Sequence, residues 1–491
     1  MGEQMQGKGA HRLYGTALIA AVLAVLALVN VILNSFAARY GWYFYTEEKY
    51  EHTIGDASLA VLPECEAGEG VRVLFCMSRD ELLAEPAYAL VLNTIEQLAE
   101  RHDYISIEFK NIYLNPGSVA GYRERVLASG EKVEYAINEL SVIFVSKKDD
   151  RVFRPESLQS FFVLDDGGTI TAYNGEEMAI ACLAWALREA HPVAAFTLGH
   201  GENQSDLLAF YTTLVAAGYD IMLLELNAPI PAGVRLVVAV NPRWDFDRGE
   251  EGSGVEAELD YLERFLDGGG TLFVSLDPYA KAPLTNLRDF LAERGLTATQ
   301  DVIRDTRNSI YPDGGYTLVA EYAAGGFADR VTDRIAAYTT GNAVVREASV
   351  IACGTANGYT ASPILLSSAT SEAYRDGVLQ ENGGSYPVFA VSQAATEGGT
   401  ATVFLTTSVF FLANDLLDSS GYTNRDVVLA SLEAATGIPA PVGCGVLPFD
   451  NTRLENLTMG TARTYTILVA VVIPLAVAAV GAAVLLRRRR R

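Results

Sequence analysis

The chain has 491 residues, 50% of them apolar and 20% charged, and a formal net charge of −23; that balance excludes a disordered chain and implies more than one packed unit. The first 39 residues carry three basic groups and one acid, and the last 27 carry five arginines, so the middle holds 29 basic and 59 acidic residues, a net of −30 that argues against nucleic acid as a partner. Five cysteines, odd in number and without a CxxC pair, exclude a disulfide scaffold, and no GxxxxGK[ST] loop is present for ATP hydrolysis.

Residues 13–36 are almost wholly apolar and long enough, at about 1.5 Å per residue, to cross a hydrocarbon core of about 30 Å. Tyr40, Trp42, Tyr43, Phe44 and Tyr45 follow as an interfacial aromatic belt would. Residues 467–486 form a second apolar run, broken only by Pro474 and followed by five arginines. Positive charge at both ends predicts that both termini face the cytoplasm, that the protein is a two-pass protein of the cell membrane, and that 40–464 lies outside.

Between the spans the pattern is α/β. A strand over 71–77, a helix over 87–100, strands over 105–109 and 140–145, and a helix over 176–189 predict a first ectodomain within 39–190. A second, within 191–437, alternates strands (193–198, 219–226, 234–240, 271–276) with helices (205–217, 255–266, 284–294). That rhythm predicts a doubly wound parallel sheet, completed by strands near 388–391 and 402–406 and a helix over 424–436. Residues 300–385, rich in Gly, Tyr and Ser, read as an insertion or looser β region, and 438–464 as a linker to the final segment, 465–491.

The stretch most open to a chemical reading is Gly199-His200-Gly201-Glu202, directly after the strand over 193–198, where a parallel sheet presents ligand sites. His200 and Glu202 suit a base and its orienting acid, and Asp277, at the end of the strand over 271–276, is placed to share their crevice. The same residues suit a tight turn in which the glycines take unusual backbone angles, and Asp277 a cap. The middle position of this turn is histidine, not the serine or cysteine of a nucleophile elbow, and the residues supply too few ligands for a metal. Cys76, Cys182 and Cys353 sit in apolar runs; Cys65 and Cys444 lie in polar or Gly-rich stretches and are free to pair.

In its order of features the chain resembles the gliding-motility-type (GldG-like) auxiliary proteins of ABC-2 transporters. The resemblance rests on Gly199-His200-Gly201-Glu202, Asn174-Gly175-Glu176-Glu177, Gly268-Gly269-Gly270-Thr271-Leu272, Leu276-Asp277-Pro278, Ser408 through Asn414, Asn424-Arg425-Asp426 and the terminal Ile473-Pro474 span. It departs at Asn115-Pro116, where members often carry Asp-Pro. The resemblance implies a thioredoxin-like first domain and a second similar to class I glutamine amidotransferases and intraflagellar-transport-like proteins. It also implies no catalysis and no cofactor, with an ABC-2 permease and its ATPase as partners. Two rival expectations are a membrane-tethered hydrolase built on His200, Glu202 and Asp277, and a surface scaffold or adhesion protein.

Overall fold

A computed structural model describes residues 54–449, except 60, 63–64, 66–68, 127–131, 151, 153–155, 165–167, 189–190, 203–205, 250–255, 281–282, 311–312, 339–340, 420 and 445, together with 463–464, 467–468 and 487. The first predicted span and nearly all of the second therefore lie outside the described residues. Among those described, no helix is long and apolar enough to cross a membrane.

The first sheet has four strands, β1 (Val71–Phe75), β2 (Ile105–Phe109), β3 (Ser141–Ser146) and β4 (Glu156–Ser157), in the order β2-β1-β3-β4. β1 and β2 are parallel, and β3 runs against both β1 and β4. The connection from β1 to β2 holds helices α1 (Arg79–Ala84) and α2 (Pro86–Arg101). α1 starts at a capping box in which the Ser78 backbone N–H donates to Glu81 Oε2 at 2.8 Å and Glu81 N–H donates to Ser78 Oγ at 3.3 Å. Ser78→Ala should cost about 1 kcal/mol, read as a shift in the denaturant midpoint at constant slope.

Alternate residues of β1 enter two cores. Val71, Val73 and Phe75 pack against Leu90, Ile95 and Leu98 of α2, while Leu74 packs with Ile143 and Val145 on the far side. Helix α3 (Gly175–Leu187) covers the same face as α2 and is buried nearly all round, because this sheet lies on one side of it and the helix over Leu208–Ala216 on the other. The described residues of the two expected domains, 39–190 and 191–437, lie within one compact unit. Arg188, just after α3, ties them by donating to Ala217 O at 3.0 Å and to Pro439 O at 2.8 Å.

The large sheet has nine strands. Its parallel part is β7 (Val193–Leu198), β8 (Asp220–Glu225), β9 (Val234–Val240), β10 (Thr271–Ser275) and β17 (Gly399–Thr406), in the order β8-β7-β9-β10-β17. β5 (Phe162–Leu164) and β6 (Ile170–Tyr173) lie apart, in a small sheet beside α3. Along β7, Ala194 and Phe196 face one core with α4 (Leu208–Ala216) and α8 (Asn424–Thr436). Val193 and Ala195 face the other, with α5 (Glu258–Asp267) and α6 (Thr285–Ala292). A sheet covered on both faces needs the near-continuous apolar strands seen here.

The sheet is mixed, and this corrects the expectation that it is parallel throughout. β16 (Pro387–Thr396) pairs antiparallel with β17, with Thr396 opposite Gly399. Only Glu397 and Gly398 separate the paired ends, a hairpin connection too short for the crossover that parallel strands require. β13 (Tyr359–Leu366) then pairs antiparallel with β16. The region 300–385 is likewise ordered. β11 (Leu296–Arg304), β12 (Ser349–Cys353), β14 (Ser371–Arg375) and β15 (Val378–Gly384) make an antiparallel sheet, and α7 (Phe327–Ala336) packs in the large core. The Gly-rich turn before β10 has a packing reason: a Cβ on Gly269, at φ +80°, would come within 2.8 Å of Gly398 O in the hairpin beside it.

The expected linker also folds back in its first part. Leu447–Pro448 pairs with β6, Phe449 N–H donates to Thr171 O at 3.0 Å, and Cys444 is buried with its Sγ 3.0 Å from Ser58 Oγ. None of the five cysteines is in a disulfide, so Cys65 and Cys444 do not pair. Cys76 is buried at the end of β1, and burial, opposed by the Lys110 charge, pushes its thiol up to about 11, an inert core thiol.

Candidate functional site

The strand order β8-β7-β9 reverses direction at β7, and the loops after β7 and β9 meet at the carboxyl edge, the switch point where such sheets hold ligands. Here the chain itself fills the crevice. Gly199 and Gly201 take φ of +113° and +69°, which only glycine adopts freely, and the turn they form folds His200 inward. His200 O accepts from Arg243 N–H at 2.7 Å and from Trp244 N–H at 2.9 Å, closing the two loops on each other.

His200 is 3% exposed, and its ring stacks on Phe246, with centroids 3.7 Å apart and planes 8° from parallel. Its Nδ1 lies 3.1 Å from Glu202 Oε1 and its Nε2 lies 2.9 Å from Glu258 Oε2. Glu202 also accepts from Thr197 Oγ1 at 2.8 Å and from the His200 backbone N–H at 2.9 Å, and Glu258 accepts from Asp247 N–H at 2.7 Å. A carboxylate faces each ring nitrogen, an arrangement that favours the doubly protonated imidazolium, in which both nitrogens donate. Burial alone pulls His200 down, but the hydrogen bonds and charges of Glu202 and Glu258 outweigh it and raise its pKa. Burial pushes Glu202 up, and the His200, Thr197 and backbone donors outweigh that and lower it.

The structure thus joins His200 and Glu202, as their spacing anticipates, and adds Glu258 from the first turn of α5. Sequence reasoning missed Glu258: it lies 58 residues from His200, and an acid at a helix start is explained by the helix dipole alone. Asp277 does not join. Its side chain accepts from Tyr279 N–H at 2.8 Å and caps its own turn. Among the described residues, no group of three or more His, Cys, Asp or Glu is arranged to hold a metal ion.

A second cluster unites two stretches that sequence reading only noted. Asn424 Oδ1 accepts from Val344 N–H and its Nδ2 donates to Val344 O, both at 2.8 Å, which fixes the start of α8. Arg425 then reaches Glu177 at the start of α3, with Nη2 2.5 Å from Oε1. Burial pushes Glu177 up to about 7; Arg425 opposes this, and Asp426 and Asp418 add to it.

The order β8-β7-β9-β10-β17, with helices on both faces, defines the chain as a mixed α/β protein carrying a doubly wound parallel core. No family model matches it, and no curated protein matches it. Among solved structures it is similar to the mmIFT52 N-terminal domain at 17% identity and TM-score 0.38, over 50% of this chain and 97% of that one. A ThuA-like protein from Parabacteroides merdae is similar at 12% identity and TM-score 0.30, over 53% and 98%. A glutamine amidotransferase from Thermotoga maritima is similar at 10% identity and TM-score 0.26, over 50% and 98%.

Proposed function

We propose that the protein is a non-catalytic, membrane-anchored auxiliary subunit of an ABC-2-type transport system, whose ectodomain binds exported material or an envelope partner while other chains supply permease and ATPase. The observation that carries the non-catalytic part is the state of His200. It is buried and stacked, and each ring nitrogen is engaged by a carboxylate of the protein itself, so neither nitrogen is open to take a substrate proton. The hydrolase alternative needs Asp277 beside His200, and Asp277 is engaged in its own turn.

The transport reading draws its support from the resemblance carried by the GHGE turn and from the two apolar termini. The first ectodomain as thioredoxin-like and the second as amidotransferase-like belong to the same reading, supported by a small mixed sheet with flanking helices and a doubly wound core. Trp244 and Tyr279, 65% and 51% exposed, follow β9 and β10 at the carboxyl edge and offer an aromatic surface to a partner. A tagged full-length chain, solubilised in mild detergent from its native cells, should bring down a multi-span permease and an ATPase. Recovery of neither would overturn the reading, and so would protease accessibility of 40–464 only after the cytoplasm is opened.

A further inference from the structure

The meeting of Glu177 and Arg425 forms the polar end of a cavity of about 480 Å3 between β5, α3 and α4. A cavity of this size holds a small organic molecule. Its long wall is apolar, made by Val163, Met178, Cys182 and Val215, and Asp418 stands at the exposed rim.

The polar end is incomplete. The Glu177 side chain is 2% exposed and that of Arg425 13%. Three buried atoms around them, Glu177 Oε2, Asn174 Oδ1 and Arg425 Nε, have no hydrogen-bond partner. Buried polar atoms are normally satisfied, so three orphans at the end of one cavity mark a place for a guest that hydrogen-bonds there. The local charge gives the guest's sign: three carboxyl groups, Glu177, Asp418 and Asp426, lie within electrostatic reach of Arg425, and Arg334 acts on Asp426 alone of the three. Water would meet the acceptors but would leave the apolar wall wet, whereas an amphiphile satisfies both parts.

We propose that this cavity binds a small molecule with a primary ammonium head and an apolar body. The ammonium donates to Glu177 Oε2 and Asn174 Oδ1, and the body lies along Met178, Cys182 and Val215. An oxygen beside the amine would accept from Arg425 Nε.

Hexylamine is the probe, titrated into the detergent-solubilised full chain at pH 8 by calorimetry, with 1-hexanol and hexanoate as controls. Hexylamine should bind saturably, 1-hexanol at least 10-fold more weakly, and hexanoate not at all. Glu177→Gln should weaken hexylamine at least 10-fold. Thr212→Trp, which fills the cavity from α4 and leaves the polar end intact, should abolish binding while circular dichroism stays unchanged. No saturable hexylamine binding, equal binding of 1-hexanol, or binding indifferent to both substitutions overturns the proposal. The hexanol comparison decides on the unmodified chain even where a variant fails to fold. Failure here leaves the transport reading standing, because co-purification with a permease is scored separately.

Discussion

His200→Leu is expected to destabilise the protein by about 3–5 kcal/mol near pH 5.5, the usual cost of removing one partner from a buried charge network. Leucine retains part of the packing on Phe246, but Glu202, also nearly buried, loses the imidazolium that offsets its desolvation. Glu258, with its side chain 29% exposed, is rehydrated more cheaply.

The pH dependence has a definite sign. His200 has a raised folded-state pKa, so its contribution is full below its ordinary 6.5 and is lost as pH rises through the folded value. Glu202 has a lowered one, so its contribution is full above its ordinary 4.5 and is lost on acidification. The gap between wild type and His200→Leu should therefore be widest between pH 4.5 and 6.5 and shrink as pH rises from there towards 9. Denaturant titrations at pH 5.5 and 9 measure it. A variant as stable as wild type at pH 5.5 would mean that the turn does not depend on the imidazolium.

Sequence pattern located most of this architecture because the sheet imposes a two-residue period on it. Val193-Ala194-Ala195-Phe196 supplies alternate residues to two cores, and so short an apolar run bounded by Pro192 and Gly199 has few other uses. The direction of β16 was written in the chain as well, in the two-residue Glu397-Gly398 connection, which forces a hairpin. Apolar runs of strand length look alike whichever way they point, so the repeated β-α-β rhythm before them suggested the wrong direction.

The site was legible only in its local half. Gly199, His200, Gly201 and Glu202 are adjacent, and the glycines announce a turn. The partner that decides between base and structural imidazolium is Glu258, brought in by α5 packing on the far side of the sheet. Glu177 and Arg425 are 248 residues apart, and nothing in either motif states that they meet.

Glu177→Gln should flatten a pH slope that the wild-type protein carries. Burial, reinforced by Asp426 and Asp418 and opposed by Arg425, lifts the Glu177 carboxyl from its ordinary 4.5 to about 7. The folded state therefore holds this proton more tightly than the unfolded state does. The resulting stability is full below pH 4.5 and is lost as pH rises through about 7, up to about 3 kcal/mol at 1.36 kcal/mol per unit. Glutamine keeps the shape and a donor–acceptor amide but cannot ionise, so the variant should gain on wild type by about that amount between pH 4.5 and 8. The slope from His200 above pH 6.5 is common to both proteins and cancels in the difference. Folding free energies of the two at pH 5 and pH 8 test it. If the variant loses as much stability as wild type over that interval, the proton is held elsewhere, and the neighbouring Asp426, also raised by burial, becomes the group to substitute.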